Sequence, residues 1–96
     1  MSALTLAQAL AELPDTADGI ADRMRALGIK GKRHYITCCP LATFLRDKGI
    51  RGAVIDGMEA SIRGVDDFTP LTGSQAEFVR RFDAGVYLDL VEVDRG

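Results

Sequence analysis

Apolar residues recur at helical spacing through the first third of the chain. Thr5 followed three residues later by Gln8 is the pattern of a helix-opening capping box, and Leu6, Ala7, Leu10 and Leu13 continue it. Pro14 is expected to end that helix. Asp15 or Thr16 can cap a second one, whose apolar face is Ala17, Ile20, Ala21, Met24 and Leu27, with Gly28 at its C-terminal stop. Residues 29–37 are flanked by glycines and rich in basic side chains. They read as a loop, with a short extended piece at Tyr35 and Ile36. Pro40 suits the first turn of a third helix, where its missing N–H costs nothing. Leu41, Phe44 and Leu45 give that helix its stripe, and Gly49 closes it.

The period then shortens. Gly52–Ile55 and Glu59–Arg63 flank Asp56-Gly57, and Asp-Gly between two β-prone runs is a hairpin signal. Phe68–Leu71 reads as a connector. Ser74 with Glu77 forms a second capping box, and Thr72 with Gln75 competes with it. The fourth helix turns Ala76, Phe78, Val79 and Phe82 inward, and Gly85 ends it. Val86–Val93 is β-branched enough to be a third strand, the alternative being an irregular tail. The expected architecture is α+β and mostly helical: three helices, a β-hairpin, a fourth helix and a C-terminal strand.

At 96 residues the chain has room for one domain, spanning 1–96. An apolar share of 47% and a charged share of 27% exclude a disordered chain. No apolar run approaches the ~20 residues that span a bilayer, and the N-terminus lacks the basic-then-apolar order of a signal peptide. No membrane partner is expected. Cys38 and Cys39 are neighbours in sequence, which disfavours a disulfide between them and points to the cytoplasm.

The net charge of −2 hides a partition. Residues 1–22 carry four acids and no base; residues 23–51 carry eight bases against one acid; residues 52–96 carry four arginines and nine acids. The basic middle can bind an anionic partner, or it can pair with the acidic ends of its own fold. Lys30, Lys32, Arg33, His34, Arg46 and Lys48 are its candidate contact residues. Three helices and a hairpin are also the order of a winged helix, which would read DNA with the basic segment 23–51. Two features oppose that reading. The gap from Gly28 to Pro40 is too long for the usual turn, and only Arg46 on the third helix could pair with guanine.

Cys38-Cys39-Pro40 opens a predicted helix beside cations, a setting that stabilises thiolate and would suit a reactive thiol or a metal ligand. His34 stands four residues upstream as a base or co-ligand. Three such residues fall short of a structural zinc site. The plainer expectation is one buried small cysteine and one helping to cap the helix. Gly28 and Gly31 form no phosphate-binding spacing, and no serine sits in a nucleophile elbow. The chain is therefore expected to be non-catalytic, without cofactor or metal.

Two stretches carry a resemblance. Cys39-Pro40-Leu41-Ala42-Thr43-Phe44-Leu45-Arg46 and Phe78-Val79-Arg80-Arg81-Phe82-Asp83-Ala84-Gly85-Val86-Tyr87 resemble segments of uncharacterised small proteins of high-GC Gram-positive bacteria and their phages. The resemblance implies a bacterial or phage origin and a cytosolic location, and brings no activity or site with it. The expected function is a small regulatory protein that binds another protein. Nucleic-acid binding through the basic segment is the alternative, and a thiol or metal site at Cys38 and Cys39 is the third reading. The strip Val86–Val93, as an unpaired strand, would offer an edge for a homodimer.

Overall fold

The computed structural model describes residues 5–56 and 58–92. Gly57 of the expected hairpin turn and Val93 of the expected dimer edge lie outside the described residues. The order of elements is α1 (Leu6–Leu10), α2 (Ala17–Leu27), α3 (Pro40–Asp47), β1 (Ala53–Ile55), β2 (Glu59–Ile62), β3 (Val65–Pro70), α4 (Gly73–Asp83) and a 3-10 turn (Leu88–Leu90). The chain is α+β, as its periodicity indicates.

Most local signals act where the spacing places them, although α1 already ends at Leu10, ahead of Pro14. The Thr5 hydroxyl accepts from Gln8 N, and Gln8 returns the bond to Thr5 N. Thr16 caps α2 by accepting from Gly19 N, and Gly28 closes it in the left-handed region at φ 70°. Pro40 is the first residue of α3. In α4 the competing box prevails: Thr72 is the cap and Gln75 answers it. Ser74 instead donates its hydroxyl to the Asp15 carbonyl, and the buried Gln75 amide donates to Leu10 O at 3.2 Å. The α4 N-terminus is thus fastened to the ends of the first two helices.

Two expectations are corrected. The third strand is β3, not the C-terminal strip. The chain turns at Arg63-Gly64, Gly64 taking φ 79°, and returns to pair with β2 through Ala60↔Thr69 and Ser61↔Phe68. Asp66, Asp67 and Pro70 are poor strand residues, so this stretch looked like a connector. Pro70 is tolerated because β3 is an edge of the β1-β2-β3 sheet. The C-terminal strip becomes a 3-10 turn because Tyr87 and Leu90 bury their side chains and curl the chain into the core. Its last described residues pair with Gly31 by a single parallel bridge to Val91. The free strand edge on which a homodimer through residues 86–93 depended is therefore absent among the described residues.

The core runs continuously from α1 to the 3-10 turn, with Phe44, Phe78 and Phe82 fully enclosed. Burying one such side chain stabilises the fold by about 1.5–3 kcal/mol. Phe78 stacks on Tyr87 at 5.4 Å between ring centroids. α2 packs on α4, and α3 packs on β1. Five of the eight α3 residues are buried, namely Pro40, Leu41, Ala42, Phe44 and Leu45, so this helix is a central one and not a projecting one. No helix among the described residues is long and apolar enough to cross a membrane.

Gly31 is where the last described residues meet the middle of the chain. Its N–H donates to Leu90 O at 2.9 Å, and its carbonyl accepts from Glu92 N at 2.8 Å. On its other side Lys32 N donates to Cys38 O at 2.8 Å. A Cβ at this position would press on the Cys38 carbonyl and lie 2.6 Å from Pro40 N, which is backbone and cannot swing away. Gly31→Ala is expected to destabilise by about 2–3 kcal/mol. Gly73→Ala meets nothing within 4 Å and is expected to be neutral or stabilising, by about 0.4–1 kcal/mol through the unfolded state. Urea unfolding of the two variants checks the contrast.

Candidate functional site

The loop after Gly31 is pinned at three points. Arg33 directs Nε and Nη2 at the Asp83 carbonyl, at 2.9 and 2.7 Å. A cation at the C-terminal end of α4 also meets the negative end of its dipole. His34 N donates to Asp83 Oδ1 at 2.9 Å, and His34 takes φ 65° to do so, the one described non-glycine residue at positive φ. Two residues on, the Ile36 carbonyl accepts from Ile55 N at 2.8 Å, so the loop is also stitched to β1. Strain of this kind persists only where the surroundings over-determine it.

These ties frame a hollow of about 200 Å³ between the loop, β1, α4 and the start of α3. Cys39, Ile55 and Val79, all buried, contribute to its lining. Tyr35 and Ile36 flank it and are 56% and 50% exposed. His34, Asp56 and Asp83 complete the lining. Asp56 Oδ1 accepts from Met58 N and Glu59 N, which is how an aspartate holds the tight β1–β2 turn.

Of the candidate residues, the structure gathers His34 and Cys39 at this hollow, with Arg33 behind it on Asp83. Lys32 lies alongside, its ammonium 5.9 Å from the centre of the Tyr35 ring. The others are dispersed. Lys48 pairs with Glu12 at 2.7 Å and lies over Phe44. Arg46 donates to the Thr37 carbonyl and, at 3.1 Å, to Thr43 Oγ1. Lys30 lines a different depression, with Arg25 and Asp89. Much of the basic block therefore meets groups of its own fold. Arg25 joins Asp22 and Asp89, and its hydrogen bonds hold the Asp89 carboxyl below the usual range.

The cysteines divide. Cys38 is half-buried, with Sγ 3.7 Å from Thr37 Oγ1. Cys39 is buried at the N-cap of α3 and makes no side-chain capping bond. Burial pushes its thiol up to about 11, and the Asp83 charge adds to that, against the N–H groups of Ala42 and Leu41 and the charge of Arg46. At Cys39 desolvation works against the helix start and the nearby cation and raises the thiol, the opposite direction to a stabilised thiolate. Groups of three or more metal-ligating side chains are absent among the described residues.

Asp56, Asp83, Tyr35, Ile36 and Val79 were not singled out from sequence. Asp83 is the last residue of α4 and Asp56 holds the turn after β1. Their second position, facing one hollow, follows from the loop crossing to α4 and β1. No sequence spacing encodes it. Comparison with known proteins gives no match to a protein-family model, a curated protein or a solved structure.

The buried thiol has a stability consequence. Cys39 stays protonated in the folded state up to about 11, whereas its ordinary value is 9.0. Its contribution is fully present below that ordinary value and is lost as pH rises between the two. The loss is about 2–3 kcal/mol. Unfolding free energies at about pH 8 and about pH 11 should fall more for the wild type than for Cys39→Ala.

Proposed function

We propose that this is a non-catalytic regulatory protein of bacterial or phage origin, acting in the cytoplasm by binding another protein. The observation that carries this reading is the exposed pair Tyr35–Ile36 on the flank of a hollow with buried apolar lining. A tyrosine and an aliphatic side chain held out beside a pocket are the makings of a binding hot spot, which concentrates affinity in a few anchors. The loop that presents them is tied to α4 and β1, so little ordering entropy is lost on binding. A hollow of about 200 Å³ is small beside the sites that enclose metabolites, which run from about 300 to 1,000 Å³. It suits one side chain of a larger partner. The high thiol value of Cys39 supports a packing role for that residue.

Binding to nucleic acid has weaker support. Arg46 is held on Thr37, and α3 gives most of its surface to the core. Affinity capture from host lysate, with and without nuclease, separates the two readings. The wild type is expected to retain a protein in the presence of nuclease, and Tyr35→Ala with Ile36→Ser is expected to release it. Each exposed anchor lost should weaken capture about 5- to 30-fold. Capture that nuclease abolishes, or that the double variant leaves intact, overturns the proposal.

A further inference from the structure

The acids of this fold divide into those that meet a base and those that do not. Glu12, Asp18, Asp22, Glu77 and Asp89 each face Lys48, Arg81 or Arg25 within ion-pair distance. Asp15, Asp47, Asp56, Glu59, Asp83 and Glu92 have no such partner among the described residues, and of these Asp56 and Asp83 line the hollow beside Tyr35 and Ile36. Each uses only Oδ1 in the hydrogen bonds described: Asp56 for Met58 N and Glu59 N, Asp83 for His34 N. Arg33 bonds to the Asp83 main-chain carbonyl and not to its carboxylate.

The hollow thus joins apolar side chains to two carboxylates with free acceptor capacity, with His34 also in its lining. We infer that it receives a lysine or arginine side chain of the protein partner, its alkyl stem against Ile36, Ile55 and Val79 and its charged head between Asp56 and Asp83. Such a side chain is apolar along its length and charged only at its end, which matches that division of the walls. An acidic side chain would meet like charge. A wholly apolar one would cover two carboxylates without replacing their water, a costly arrangement. This inference rests on the protein-binding reading above and specifies its anchor.

The test is a two-dimensional NMR titration of the ¹⁵N-labelled protein with four probes: lysine, arginine, norleucine and glutamate, each capped at both ends. Lysine and arginine are expected to give saturable shifts at the amides of Tyr35, Ile36, Ile55 and Asp83. Norleucine, with the same stem and no charge, and glutamate are expected to give none. Asp56→Asn and Asp83→Asn keep a side-chain oxygen for the turn and for His34 N, so both should fold, and their spectra report it. Each is expected to weaken lysine binding about two- to fivefold, the range of a solvent-accessible ion pair. Norleucine shifts equal to those of lysine, or binding indifferent to both variants, overturn the inference. Shifts at the same amides on dilution without probe make the occupant a second copy and also overturn it. If lysine and arginine move nothing while Tyr35→Ala with Ile36→Ser still abolishes capture, the basic anchor falls and the interface stands. If both experiments fail, both readings fall.

Discussion

The crossing at Gly31 holds this structure together. One backbone position bonds to Leu90 and Glu92 on one side and lies flush against Cys38, Cys39 and Pro40 on the other. The approach is so close that a methyl group does not fit. The crossing ties the chain's last described residues to its middle, and it fixes where the loop of residues 32–38 begins and ends. Everything at the hollow descends from it: the reach of Arg33 and His34 to Asp83, the bond of Ile36 to β1, and the burial of Cys39 at the start of α3.

The electrostatics follow from that arrangement. A block of eight bases between two acidic segments looks like a surface built for an anion. In the folded chain Lys48 reaches Glu12 in the turn after α1, Arg25 reaches the 3-10 turn, Arg33 takes the Asp83 carbonyl and Arg46 the loop's own Thr37 carbonyl. Exposed ion pairs of this kind add about 0–1 kcal/mol each. Their larger effect is on what remains. Bases turned toward the fold's own groups are less available to a partner, and Asp56 and Asp83 face the hollow without an ion-pair partner among the described residues.

The elements were legible wherever the signal is local. Capping residues Thr5 and Thr16, the stop at Gly28 and the Pro40 start act over one turn of chain, so composition and spacing reveal them. Residues 65–70 were not legible, because a strand holding two aspartates and a proline survives only through pairing with β2. Nor was the fate of Val86–Val93. Its β-branched residues favour extension, but burial of Tyr87 and Leu90 gains more than an unpaired strand can, and the chain curls to reach it. Of the hollow, sequence pointed to His34 and Cys39 and to the loop between them. It did not point to Asp56, Asp83 or Val79, whose nearest neighbours there lie on other elements.

By itself, then, the sequence determined an α+β chain, the cap of α1, the apolar faces of its four helices, the hairpin and the uneven layout of charge. These depend on residues three or four positions apart, or on simple alternation. Tertiary structure alone decided which bases are consumed internally, that Cys39 is a desolvated thiol, and that Tyr35, Ile36, Asp56 and Asp83 surround one hollow. Those outcomes turn on contacts between residues far apart in the chain, made at a crossing too tight for any side chain, and their energies exist only once the crossing has formed.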